Sequence, residues 1–451
     1  MPLAVFCFMA GFNFCFECGR LRIIIPAEAR LTGCPSVRKV IMNYLKVKLF
    51  VFVSLSVMLW AAAGNAADEP QDTAAAQTPK IEIKLADTET IRWFLPYEKP
   101  FRMTGFEWFE SDRVYERLPV NKPETVTQYP SGKATSIASS QCGAFHLSPH
   151  TSGGQVQFRT DSAFIQVSGE LAGQYRGDNI SPLGSSAFAL YYREDGGSWV
   201  YAGASRFNHS QDKFTAQIGG TMTRKTRDCL LYFPTYCGVK SLAIGLDKDA
   251  VVEAPRPWKD PRKVIFYGTS ITQGGCASHS GADAGALLSR DLDMPVLNYG
   301  FSGNGKGEPE IARMLASIKD PALYILDYEW NIVTGEEMAA SLTPFIDILR
   351  KDHPETPILV MSHTPGSFAG LDQDDGMLAR FNAKREAMML EVQKRQAEGD
   401  KKIEFLDGNT LLGEDWWNCL VDGCHLSDFG FYRQEKVMLP VVQRMLKNSS
   451  K

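Results

Sequence analysis

Between residues 162 and 247 the chain repeats one pattern. Short runs with alternating apolar and polar side chains are each closed by a cluster of Gly, Asp, Asn or Ser. The runs are SAFIQVSGEL, SSAFALYYRE, SWVYAGASRF, KFTAQIGG, CLLYFPTY and SLAIGLD. Alternation with a period of two gives a strand one apolar face, so the pattern predicts an antiparallel sandwich or jelly roll. After EAPRPWKDPRK, Glu253 to Lys263, whose three prolines suit a linker, the pattern changes. KVIFYG, PVLNYG, LYILDY, PILVMS and KIEFLD are apolar throughout, as strands covered on both faces must be. Between them EPEIARMLASI, GEEMAASLTPFIDILRK and MLARFNAKREAMMLEVQKRQAEG have helical spacing, and FYRQEKVMLPVVQRML follows as a terminal helix. Five strands with intervening helices predict a parallel sheet with helices on both faces. The expected organisation is an all-β domain over 81–252, a linker over 253–263 and an α/β domain over 264–451.

The amino-terminal region reads differently. From Met42 the sequence MNYLKVKLFVFVSLSVMLWAAAGNAADEP places Lys46 and Lys48 before an apolar core, Leu49 to Ala63, and a small-residue site at Gly64-Asn65-Ala66. This is the layout of a secretory signal peptide over 42–66, followed by a flexible lead-in over 67–80. A retained membrane anchor is the alternative, but the apolar run is short for a span. Residues 1–41 show no periodic pattern and read as an extension upstream of the true start at Met42. The expected location is therefore exported, periplasmic or secreted, with no stable membrane insertion after cleavage.

Composition narrows the partners. The chain has 451 residues, 44% of them hydrophobic, enough for a large core, and a formal charge of -4 with no basic run beyond the amino terminus. That gives no electrostatic case for nucleic acid. Six cysteines follow the leader: Cys142, Cys229, Cys237, Cys276, Cys419 and Cys424. Export permits disulfides, and Cys419 with Cys424 and Cys229 with Cys237 are the local candidates. No CxxC pair or HExxH helix accompanies them, so no metal site is expected.

The chemistry lies at strand ends. KVIFYG runs into Gly268-Thr269-Ser270, leaving a serine at the carboxyl end of the first parallel strand, where open α/β sheets bind ligands. That serine is a helix cap or a nucleophile. A nucleophilic serine needs an imidazole base with its tautomer held, and VDGCHLSDFGF supplies Asp422 and His425 three residues apart. Oxyanion donors are expected from Gly303, in the NYGFSGNG loop after the second strand, and Asn331, in LDYEWN after the third. His279, Asn304, Trp330 and His363 also follow strand ends and are candidate substrate contacts. Trp416 and Trp417 are candidates for stacking on sugar rings, with burial as the alternative. His146 and His150 read as surface or packing residues.

Ser270, Gly303, Asn331 and the Asp422/His425 pair, in that order, resemble the four blocks of the SGNH/GDSL hydrolase superfamily, from about Val264 to the end. The first block reads G-T-S in place of G-D-S, and the third reads EWNI where G-x-N-D is usual. The resemblance implies an α/β fold of SGNH type, a three-layer, flavodoxin-like parallel sheet. It implies Ser270 as nucleophile, Asp422 and His425 as its triad partners, and an oxyanion hole of the Ser270 and Gly303 amides with Asn331. Both domains together resemble bacterial two-domain SGNH esterases with an amino-terminal jelly roll, some of them carbohydrate acetylesterases. The G-x-D-L-Y signature of that jelly roll is here Ala187-Phe188-Ala189-Leu190-Tyr191, without its glycine and aspartate. The implied activity is cofactor-free removal of acyl groups, acetyl above all, from a sugar or polysaccharide. The alternatives are a lipase- or thioesterase-like hydrolase on small acyl substrates and an inactive glycan-binding protein.

Overall fold

The structure is a computed structural model that describes residues 6–9, 12–17, 20–24, 85–110, 115–119, 143–173, 177–370 and 376–449. The segments 42–66 and 67–80, and Cys142, lie outside the described residues. The chain divides into two units, Met1–Gln77 and Thr78–Lys451. In the first, β1 (Phe6–Met9), β2 (Phe12–Glu17) and β3 (Arg20–Ile24) form an antiparallel meander.

The second unit contains a sandwich and a parallel sheet. The sandwich strands are β4 (Ile91–Phe94), β5 (Arg102–Thr104), β6 (Gln155–Thr160), β7 (Ile165–Leu171), β8 (Ala189–Arg193), β9 (Val200–Ala204), β10 (Lys213–Ile218), β11 (Arg227–Tyr232), β12 (Val239–Asp247) and β13 (Val252–Glu253). One antiparallel sheet has the order β10-β7-β12-β4; the other has β13-β6-β11-β8-β9, with β5 on β6. Their facing side chains, among them Phe158, Val167, Phe188, Leu231 and Ile244, form one core. The six patterned runs are β7 to β12. Strands β4, β5 and β13 are too short to show a period, and β6 is buried at nearly every position, so neither type announces itself by alternation.

The five apolar runs are β14 (Lys263–Gly268), β15 (Val296–Gly300), β16 (Pro321–Asp327), β17 (Ile358–Met361) and β18 (Ile403–Leu406). They pair in parallel in the order β15-β14-β16-β17-β18, the 2-1-3-4-5 order of flavodoxin-like sheets. Helices follow as α1 (Ser270–Gln273), α2 (Ala284–Leu292), α3 (Pro309–Ala316), α4 (Gly335–Asp352), α5 (Met377–Ala397) and α6 (Asp428–Ser449). Ile265, Tyr267, Tyr324 and Leu326 pack with α3, α4 and α5 on one face. Val264, Phe266, Leu323 and Ile325 pack with α2 and α6 on the other. Helix α2 was not legible in the sequence: it has nine residues, and its start is set by Asp283, whose side chain accepts from the Ala286 N–H.

The sandwich and the parallel sheet share buried contacts, so the linker is not their only connection. Arg117 of the β domain is fully buried, and its guanidinium donates to the carbonyls of Asn298 (3.2 Å), Gly300 (2.7 Å) and Leu147 (3.0 Å). It also lies over the Phe301 ring at 4.5 Å. Burial pushes its pKa down to about 9. Arg117 thereby clamps the carboxyl end of β15, where the loop carrying Gly303 begins. Tyr191 and Tyr232, on the outer face of the sandwich, pack with Ala286 of α2.

Candidate active site

The local sequence resolves what Ser270 does in its turn. Thr269, with extended backbone angles, is the N-cap of α1, and its hydroxyl accepts from the Ile271 N–H. The threonine in place of aspartate therefore still caps the helix, and Ser270, the first helical residue, keeps its own hydroxyl free for another partner. Gly274 ends the turn in the left-handed conformation, φ 95°. Beneath it, Thr272 donates to the Asp327 carboxylate at 2.9 Å, tying α1 to the end of β16.

That partner comes from the other end of the chain. His425 Nε2 lies 2.8 Å from Ser270 Oγ, and His425 Nδ1 lies 2.8 Å from Asp422 Oδ2. Asp422 Oδ1 accepts from the backbone N–H groups of Cys424 (3.1 Å) and His425 (2.8 Å). Burial pushes the Asp422 carboxyl up, but donation from the His425 backbone, the Asn179 amide and the His425 ring outweighs it and holds the group well below the usual carboxylate range. An ionised carboxylate can only accept, so the proton resides on Nδ1 and the Nε2 lone pair faces the serine. Among the described residues, Ser270, His425 and Asp422 thus form one hydrogen-bonded line.

Asn179 was not anticipated. It belongs to the β domain, and its amide donates to Asp422 Oδ2 at 2.8 Å. Further β-domain groups reach the nucleophile turn: Tyr236 donates to the Ser270 carbonyl (3.2 Å), Ser152 to the Gln273 carbonyl (2.5 Å), and His150 Nδ1 pairs with Gln273 Nε2 (3.1 Å). Burial pushes His150 down to about 4, which keeps it neutral in this packing role. No motif flags these residues; an asparagine or tyrosine in a β-domain turn has no sequence signature.

The oxyanion candidates separate. Gly303 sits at φ 68° with open space where a side chain would begin, and no described group accepts its N–H. The Ser270 N–H is likewise without a helical acceptor, as at every helix start. Asn331 differs from expectation: its amide donates to the carbonyls of Phe301 (3.2 Å) and Gly305 (3.0 Å). Both amide hydrogens are occupied, so the side chain braces the Gly303 loop instead of presenting a free donor. Asn304 donates to the Ser302 carbonyl within the same loop.

The remaining candidates, Trp417 apart, lie in packed positions. His279 pairs with the Tyr191 hydroxyl (2.8 Å) and stacks on Tyr201 at 3.9 Å, joining the domains. His363 is buried, with Nδ1 2.9 Å from the Glu329 carboxylate, a partner contributed by the end of β16 that local spacing had not revealed. Trp330 meets the His363 ring edge-on at 5.4 Å. Lys384, buried beside them, donates to the Glu329 and Ile332 carbonyls, and burial pushes it down to about 8. Trp416 is partly buried, whereas Trp417 is 60% exposed. Of the six cysteines after the leader, Cys229, Cys237, Cys276, Cys419 and Cys424 are described and are free thiols, so neither local pair is bridged. Cys229 and Cys237 are separate parts of the sandwich core, and Cys419 Sγ faces the Leu412 carbonyl.

Residues 261–443 match the GDSL-like lipase/acylhydrolase family, and residues 91–252 match the N-terminal domain of SGNH-hydro-type esterases. The chain belongs to this SGNH/GDSL esterase family. The jelly-roll match holds although the signature glycine and aspartate are replaced; its tyrosine is Tyr191, which reaches across to His279. Among solved structures, a protein assigned as a GDSL-like lipase from Bacteroides ovatus is 27% identical, with a TM-score of 0.68 over 79% of this chain and 98% of that one. The salicylyl-acyltransferase SsfX3 of a tetracycline biosynthetic pathway shares the fold at 19% identity and a TM-score of 0.61, over 77% and 95% of the two chains. A family two carbohydrate esterase from Clostridium thermocellum, in complex with cellohexaose, is 16% identical with a TM-score of 0.45 over 66% and 93%, a likeness too distant to bear on substrate. No curated protein matches the sequence. The SGNH/GDSL family comprises esterases and acylhydrolases, and this chain carries its parallel sheet and its jelly roll in the family's order.

Proposed function

We propose that this protein is an exported serine esterase that removes small acyl groups, acetyl foremost, from a carbohydrate. The observation that carries the reading is the line Asp422–His425–Ser270, with both hydrogen bonds at 2.8 Å and the carboxylate held ionised. His425 Nε2 takes the Ser270 proton as Oγ attacks the ester carbonyl, and Asp422 stabilises the imidazolium that forms. The Ser270 and Gly303 N–H groups receive the oxyanion, with Asn331 holding the Gly303 loop in place. The proton then passes to the leaving alcohol, and a water repeats the sequence to release the acid. None of these steps calls on a cofactor.

Two observations favour a small acyl group on a sugar. The loop after the nucleophile is pinned to the β domain by Tyr191 on His279 and by Ser280 on the Ala187 carbonyl, which leaves little freedom for the swinging apolar lid of a long-chain lipase. The exposed indole of Trp417, five residues before Asp422, offers a face for a sugar ring. A lipase-like preference is the second reading, favoured by the 27% identical protein assigned as a GDSL-like lipase. Acetate release from defined acetylated oligosaccharides, run beside acetyl and octanoyl test esters, decides: faster turnover of octanoyl esters with no acetate from any oligosaccharide overturns the carbohydrate reading. Export rests on the leader at 42–66, and mass spectrometry of the native protein should find its first residue near Ala67.

A further inference from the structure

A thiol stands beside the catalytic line without taking part in it. Cys276, two residues beyond the end of the nucleophile turn, is buried, and its Sγ lies 4.0 Å from Asp422 Oδ2. Cys276 Sγ, an Asp422 carboxylate oxygen and a His425 ring nitrogen all lie within 4.8 Å of one another. The Asp422 and His425 atoms already face each other at 2.8 Å. Cys276 holds its place by a left-handed backbone, φ 69°, unusual for a residue other than glycine. Sulfur, imidazole and carboxylate are the donor types of zinc, and ligand atoms around a tetrahedral ion at about 2.0–2.3 Å stand roughly 3.3–3.8 Å apart, so to hold an ion the sulfur moves in from 4.0 Å while the Asp422–His425 pair opens from 2.8 Å.

We propose that a zinc-like divalent transition-metal ion binds Cys276 Sγ, Asp422 and His425 Nδ1 and switches the esterase off. The inference rests on the triad reading for its effect on activity, but not for the binding. Binding is balanced by one proton: the Cys276 thiol loses its hydrogen to solvent as the metal–sulfur bond forms. The imidazole stays neutral, and its proton moves from Nδ1, now bound to metal, to Nε2. Nε2 then faces Ser270 as a donor and can no longer accept the serine's proton, and Asp422 is drawn from the ring to the metal. Inhibition thus follows from the wrong tautomer, the effect that makes loss of a triad carboxylate worth on the order of 10⁴ in rate. Three protein ligands leave a fourth position for water, so the site is reversible and open to chelators.

The test uses chelator-treated, full-length mature protein and two readouts. Cobalt(II) titration should give a one-to-one complex with a near-ultraviolet thiolate-to-metal charge-transfer band; zinc should displace it and abolish hydrolysis of a small acetyl ester with the same midpoint, and chelator should restore the rate. Cys276→Ser should lose the band and shift the zinc inhibition midpoint upward by about tenfold or more, whereas Cys424→Ser should keep both. A band that survives Cys276→Ser, zinc bound with activity unchanged, or no complex at all overturns the proposal. A protein that forms the cobalt band but, when metal-free, hydrolyses no ester would instead sink the triad reading while leaving the metal site standing.

Discussion

The sandwich and the parallel sheet both supply polar groups to one site, but from different kinds of place. In the α/β domain Ser270, Gly303 and Asn331 follow the ends of β14, β15 and β16, and His425 and Asp422 precede α6; the turns that carry Ser270, Asn331 and Asp422 are closed by hydrogen bonds of their own. In the β domain Asn179, Tyr236, Ser152 and His150 stand in connections between strands and reach the site singly. A site built on repeating strand ends leaves ordered motifs in the sequence. A site borrowed from another domain's turns leaves none, although its hydrogen bonds are just as short. In the proposed mechanism the β domain is therefore part of the site, joined to it by contacts other than the linker.

The largest effect expected within the α/β contribution is that of Ser270→Ala. A folded variant should lose on the order of 10⁵–10⁶ in kcat on p-nitrophenyl acetate; circular dichroism confirms the fold, and turnover near that of the wild type removes the serine from the mechanism. Asp422→Asn comes next, at about 10⁴, because the imidazole loses its tautomer lock and the charge that steadies it. The pH profile sharpens this. Asp422 is held below its usual range, so it stays ionised as the pH falls and its stabilising contribution, present above the unfolded-state value, is lost only on passing the lower folded one. Protonation of the carboxylate should therefore add no limb to kcat/KM in the mildly acidic range, and a two-proton acid limb there would contradict the assignment.

The β-domain side is tested by smaller changes. Arg117→Ala strips three carbonyls of their donor and opens a cavity across the junction, with an expected cost of about 3 kcal/mol or more in chemical unfolding. Unchanged stability would mean that the two domains stand independently. Asn179→Ala removes one donor from Asp422 and should lower kcat on the order of tenfold with KM for a small ester little changed. A rise in KM alone would make Asn179 a substrate contact instead. Together the four variants ask whether the two regions act as one site or as a catalyst with an attached support.

The α/β half was the more legible for a physical reason. Strands buried on both faces give unbroken apolar runs, and long helices give enough turns to show their period, so all five parallel strands and helices α3 to α6 stand out. The nine-residue α2, the four-residue β4 and the three-residue β5 offer too few positions for any period to emerge. Asn331 shows the limit within a motif: its type and position after β16 mark it as functional, but whether its amide faces a ligand or the Phe301 and Gly305 carbonyls depends on how the neighbouring loop closes.

The sequence by itself determined the order of domains, the parallel sheet, the serine at the end of its first strand and the Asp422/His425 pair, because these depend on local periodicity and spacings of a few residues. Only the tertiary structure decided that Asn179 completes the carboxylate's shell across 243 positions, that Glu329 rather than a near neighbour holds His363, and that Cys276 stands beside the triad instead of pairing with another cysteine. Those contacts join residues far apart in the chain, and their partners are chosen by which faces the packed core brings together, a quantity that no window of sequence contains.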